Sequence, residues 1–121
     1  MRASEHFKVV VGTESVRVIE LTLPPALDGE EFDALNEDML GTIDEVAAGR
    51  WVIDLSKVNY LGSSMLGMMV NVRQRIKQSQ GLLILCGMND RLTSIFEASS
   101  LVRLFRITRT RTDAVHLATK G

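Results

Sequence analysis

Hydrophobic positions along this chain switch between two periods. Residues 7–12 (FKVVVG) and 16–23 (VRVIELTL) are rich in β-branched side chains and are separated by the polar Thr13-Glu14-Ser15. They predict two strands joined as a hairpin. In the second, Val16, Val18, Leu21 and Leu23 are the apolar positions and Glu20 reads as exposed. Pro24-Pro25 ends it, because neither proline donates a ladder hydrogen bond. From 29 to 48 the period lengthens: Phe32, Leu35, Met39 or Leu40, Ile43 and Val46 recur at steps of three or four, as on a helix. Asp28 or Gly29 is the expected N-cap, and Glu30, Glu31 and Asp33 suit the positive end of the helix dipole. Gly49 is the expected stop.

The alternation then repeats. Residues 51–55 (WVIDL) predict a strand covered on both faces, and 56–61 a loop. Residues 63–80 predict a helix whose apolar stripe is Met65, Met69, Val72 and Ile76, with Arg73, Gln74, Arg75, Lys77 and Gln78 largely outside it. Residues 82–86 (LLILC) are a second buried strand. Asn89 or Asp90 caps a third helix through Leu92, Ile95 and Phe96, which Ser99-Ser100 breaks. Residues 104–108 (LFRIT) give a last strand, and Asp113 caps a short final helix through Ala118. The expected class is therefore α/β: a small mixed central sheet, opened by a hairpin and continued by alternating βα units, with helices packed on it. There are no repeats, low-complexity tracts or linkers, so residues 1–121 read as one domain.

Composition narrows the function classes. The chain is 45% hydrophobic and 24% charged, the balance of a soluble globular protein. No apolar run reaches the roughly 18–20 residues that cross a bilayer, and the first residues show no signal-peptide stretch. A single cysteine, Cys86, leaves no disulfide framework or multi-thiolate metal site, so the cytoplasm is the expected location. The formal net charge of −1 gives no general attraction to nucleic acid. The charge is uneven, however. Residues 1–56 hold four basic and twelve acidic side chains, and residues 57–121 hold ten basic and three acidic. Such polarity either steers a charged partner or is neutralised between the two halves in the fold. The basic run Arg103, Arg106, Arg109 and Arg111 reads as a solvated edge.

Little in the sequence supports catalysis. His6 and His116 lie near the chain ends and read as surface residues, and no metal-ligand spacing or phosphate-binding glycine loop is present. Cys86 lies in an apolar strand, where a thiol packs inertly. Gly62-Ser63-Ser64-Met65-Leu66-Gly67 has the spacing G-x-S-x-x-G, not the G-x-S-x-G of an esterase elbow. Its serines lie where a helix begins. Backbone N–H groups there lack internal partners, and the dipole favours an anion. A serine there is either a plain N-cap or a site that tolerates phosphate.

The stretch Asp54-Leu55-Ser56-Lys57-Val58-Asn59-Tyr60-Leu61-Gly62-Ser63-Ser64-Met65-Leu66-Gly67 resembles the signature of STAS domains, and more narrowly that of bacterial anti-sigma factor antagonists. Leu23 to Asp28 is similar to the turn before the family's first helix, and Gly81 to Leu85 to its following strand. The run from Met88 through Leu92, Phe96, Leu101 and Phe105 is similar to the family's closing segment. The resemblance spans about Val9 to Leu117. It implies a non-enzymatic partner of an anti-sigma factor that is also a serine protein kinase. That kinase phosphorylates the antagonist with ATP and a phosphatase resets it. No cofactor is implied, and no direct contact with nucleic acid or membrane.

Carried over, the phosphoacceptor is Ser64. Asp28, Gly62, Ser63, Met65 and Met68 join it as the partner-binding set, the two methionines as adaptable apolar contacts or as core. The family pattern has an aspartate where Gly62 stands, a glycine where Met65 stands and a turn glycine where Pro25 stands. The alternatives are an interaction or scaffold module of the same fold with no phospho-switch, and a small hydrolase.

Overall fold

A computed structural model describes residues 6–23 and 27–120. Five strands form one sheet in the order β1-β2-β3-β4-β5: Phe7–Val11, Arg17–Leu21, Arg50–Asp54, Leu82–Cys86 and Arg106–Thr108. β1 runs antiparallel to β2 as the expected hairpin, and the other neighbours are parallel. Helices α1 (Gly29–Asp44), α2 (Ser63–Gln78) and α3 (Asp90–Ala98) link the parallel strands, and α4 (Arg111–Lys120) closes the chain. The α/β class and the mixed sheet expected from the sequence are what the structure shows.

Parallel neighbours in sequence order need crossovers that all step the same way, and a constant hand then puts the connecting helices on one face. Packing agrees. Ile19, Leu21, Trp51, Ile53, Leu83 and Leu85 point into the larger core with Leu35, Met39 and Ile43 of α1, Met69 and Val72 of α2, and Leu92 and Phe96 of α3. The alternate residues Val16, Val18, Val52, Ile84 and Cys86 meet Ala114 and Ala118 of α4 on the other face. Both faces of β2, β3 and β4 are thus covered, which explains their near-continuous apolar sequences. Phe96 and Phe105 close the far end edge-to-face, with centroids 5.7 Å apart.

Several boundaries move from the expected ones. α1 ends at Asp44 rather than 48, and Ala48 takes the left-handed conformation (φ 54°) expected of a stop at Gly49. β5 begins at Arg106 rather than 104, because Leu101–Arg103 form a 3-10 turn that draws the Leu104 N–H to the Leu101 carbonyl. The cap of α4 is Thr110, whose Oγ1 accepts the Asp113 N–H at 3.1 Å, so Asp113 lies inside the first turn. The Pro24-Pro25 stop lies outside the described residues.

Candidate functional site

In a parallel sheet of this kind the helices begin beyond the carboxyl ends of the strands, and the loops there form the usual binding edge. Two of the helix starts at that edge, those of α1 and α2, flank one cleft. α1 is closed by a capping box: Asp28 Oδ1 accepts the Glu31 N–H at 2.8 Å, and Glu31 Oε1 accepts the Asp28 N–H at 3.2 Å. α2 starts from Gly62, which is in extended conformation and offers no side-chain cap. Neither serine is the N-cap; Ser63 and Ser64 are the first two helical residues. Both are exposed, and the first turn of α2 holds no acidic residue. The plain-cap reading of these serines therefore fails, and the first N–H groups of α2 keep their anion preference.

The loop that presents them is fixed from below. Leu55, Val58 and Leu61 are buried at intervals of three, and the Val58 N–H bonds the Leu55 carbonyl. Asp54 Oδ1 accepts the Ser56 N–H at 2.9 Å. Gly87 (φ 76°) passes so close that a Cβ would sit 2.8 Å from Asp54 Oδ1, so this position needs glycine. At Gly62, by contrast, a Cβ would meet only Tyr60 Cε2, at 3.8 Å, so a side chain fits there.

Between the two helix starts lies an open cleft of about 480 Å³, lined by Leu23, Leu27 and Phe32 as apolar walls and by Asp28, Asp33, Tyr60, Ser63 and Ser64 as its polar rim. The structure brings Asp28, Gly62, Ser63, Ser64 and Met65 together on this cleft. Met68 is a correction. It is 1% exposed and packs in the larger core one turn beyond Met65, so it has no surface to offer a partner. Met65 is itself 6% exposed, so its bulk points mainly inward. Among the described residues no histidine lines the cleft, so neither serine meets an imidazole base among them.

Tyr60 is the residue that sequence reasoning missed. It is 57% exposed on the cleft rim, and the Arg91 guanidinium stands 5.8 Å from its ring centroid. Its place as the aromatic position of the signature was the available signal.

A second charged constellation sits behind the sheet edge. Glu20 and Asp54 are register partners on β2 and β3, and both face α4. Arg111, the first residue of α4, reaches Glu20 Oε2 at 2.5 Å and Asp54 Oδ2 at 2.8 Å. Glu20 is therefore engaged and only 16% exposed at its side chain, not the exposed residue its sequence position suggests, and Arg111 is a clamp rather than part of a solvated edge. The hydrogen bond from Arg111 holds the Glu20 carboxyl below its usual range. Burial alone would raise Asp54. The Ser56 hydrogen bonds and Arg111 outweigh it, and the net shift is downward. Burial, helped by the Asp54 charge, pushes the Cys86 thiol up to about 12, as expected of inert packing. Arg111 and the Arg75–Asp44 pair show that part of the charge asymmetry is neutralised between the two halves.

Among the described residues no helix is long and apolar enough to cross a membrane. The chain is 27% identical over 92 residues to the Bordetella bronchiseptica protein BtrV, to which an anti-sigma factor antagonist role is ascribed; the match covers 76% of this chain and 78% of that one. In structure it is similar to an anti-sigma-factor antagonist (STAS) domain protein from Planctomyces limnophilus, with a TM-score of 0.80 and 21% identity over 93% of this chain and 97% of that one. It is similar also to the anti-sigma factor antagonist SpoIIAA of Bacillus, unphosphorylated (TM-score 0.74, 17% identity, 95% of this chain and 97% of that one) and phosphorylated (0.65, 18%, 91% and 96%). A profile of the STAS domain matches residues 8–114, nearly the whole sheet-and-helix unit described above, and the chain belongs to the STAS domain family.

Proposed function

We propose that this chain is an anti-sigma factor antagonist. It binds an anti-sigma factor that is a serine protein kinase, and phosphorylation of Ser64 releases it. The observation that carries this reading is the exposed Ser64 hydroxyl in the first turn of an uncapped helix, on the rim of an open cleft. In the unmodified state the cleft rim docks on the kinase and frees the sigma factor, so this chain, in the cytoplasm, acts on transcription indirectly. The Ser64 Oγ then attacks the terminal phosphoryl group of ATP, losing its proton as ADP departs. A phosphatase hydrolyses the ester and resets the switch.

The physical effect of the phosphate is local. It adds about −1.5 to −2 charges beside Asp28 and Asp33, which line the same cleft. The α2 N–H groups stabilise that charge within the free protein. Burying it against a partner surface without a matching cation is costly, so the complex weakens while the fold persists. Two of the three departures from the family pattern, those at Gly62 and Met65, leave this chemistry open. Met65 turns mainly into the core, and Gly62 leaves the helix start free of a competing carboxylate. Titration calorimetry of the purified kinase partner with wild type, Ser64→Ala and Ser64→Asp tests the proposal. The first two are expected to bind alike and the third much more weakly; equal binding by all three would refute the charge switch.

A further inference from the structure

The two edges of the sheet are guarded very differently. β5 is three residues long, and Arg103, Arg106 and Arg109 are exposed on and around it. Short edge strands and edge charges are standard ways of preventing a sheet from adding another strand. β1 has neither. It is five residues long, pairs with β2 on one side only, and contains no proline. Val9, Val10 and Val11 are 38%, 38% and 61% exposed, three of the six large hydrophobic residues that are exposed among the described ones. Its one charge, Lys8, keeps a side chain 69% exposed, but its Nζ is paired across the hairpin with Glu20 at 3.5 Å, so the edge carries a single cation that is already partnered.

We infer that β1 is an association edge and that its occupant is β1 of a second copy, paired antiparallel about a two-fold axis. Only one antiparallel register pairs all five residues of both strands, and it is centred on Val9. Val9 then faces the partner's Val9, Phe7 faces Val11 and Lys8 faces Val10, so no two like charges stand opposite each other and each lysine keeps its own Glu20. Such an interface is self-complementary and closed, and joins the two sheets into one of ten strands. Because β1 runs antiparallel to β2, and the other strands are parallel to β2, the two-fold points the carboxyl edges of the two parallel sheets in opposite directions. The dimer therefore presents two unobstructed Ser64 clefts, one at each end. The dimer does not rest on the proposed function, since it concerns the opposite side of the hairpin from the cleft.

Sedimentation velocity of the full chain over about 1 to 300 µM tests it, since a dimer shows mass-action dependence. The wild type is expected to shift from monomer to dimer. Val9→Lys and Val9→Glu, each placing like charges face to face at the axis, are expected to raise the dissociation constant by about tenfold or more. An equimolar mixture of the two is expected to recover the dimer. Thermal unfolding verifies that the variants are folded; if either is not, Val11→Lys, which sets a charge opposite the partner's Phe7 in the same register, tests the loss of the dimer on its own and is expected to raise the dissociation constant likewise. A wild type monomeric throughout overturns the inference and leaves the edge to a strand of another protein. A mixture that stays monomeric overturns the Val9-centred pairing, as does a Val9→Lys chain that dimerises as the wild type does.

Discussion

The starts of α1 and α2 flank one cleft and solve the same physical problem in opposite ways. Each exposes backbone N–H groups that the helix cannot satisfy. At α1, Asp28 and Glu31 satisfy them reciprocally and add negative charge. At α2, Gly62 leaves them open, and Ser63 and Ser64 follow with exposed side chains. The first arrangement makes a stable helix end and the second keeps room for an anion. A third start, that of α4, lies between these extremes. Thr110 caps it, but its first residue is the cation Arg111, tolerable at a positive helix end because Glu20 and Asp54 hold it.

The contrast can be broken at several points. The largest effect is expected at the open end. Ser64→Asp should weaken binding of the kinase partner by about 30-fold or more, roughly 2 kcal/mol, with no loss of thermal stability. An equal effect from Ser63→Asp would mean that the site is a general acidic-charge sensor rather than one acceptor. Next comes the clamp. Arg111→Met removes the cation from Asp54, and chemical denaturation should show a loss of about 1–3 kcal/mol; the figure is below that of a fully buried pair because Arg111 is 38% exposed. The same clamp sets an acid limb. Both carboxyls titrate lower in the folded chain than in the unfolded one. Their stabilisation is therefore fully present above about pH 5 and is lost as pH falls through their lowered folded values. Arg111→Met should flatten that limb.

Smaller effects separate the two helix starts themselves. Asp28→Ala removes the closed cap and should cost about 1 kcal/mol of stability. Gly62→Asp should do the reverse at the open one. Its side chain has space, and a capping carboxylate should add a few tenths of a kcal/mol up to about 1 kcal/mol. If Gly62→Asp destabilises the chain, the start of α2 is not the uncapped end described here.

Much of this arrangement is legible in the sequence, because it rests on local signals. The change of period at residues 29 and 63, the apolar β3 and β4, and the polar Gly62-Ser63-Ser64 ahead of an apolar stripe place the serines at a helix start without any tertiary knowledge. What escaped depends on contacts between distant residues. Glu20, Asp54 and Arg111 become neighbours only through the β2–β3 register and the return of α4, and no local pattern announces that triad. A carboxylate near the end of each of two apolar strands was the sole hint. Met68 is ambiguous on a helical wheel because it sits three residues from Met65 and four from Val72; only the width of the buried stripe decides that it is core. Tyr60 is visible as an aromatic residue in a loop, but its exposure and its pairing with Arg91 come from α3.

In the proposed function one hydroxyl at the start of α2, that of Ser64, carries the switch. Trypsin should release Val58 to Arg73 as one peptide holding both serines, with Tyr60 the only other hydroxyl. The direct measurement is fragment-ion mass spectrometry of that peptide after incubation with the kinase partner and ATP. A single phosphate, on Ser64, is expected; a phosphate on Ser63 alone, or an unmodified peptide from a kinase shown to be active, would contradict the switch.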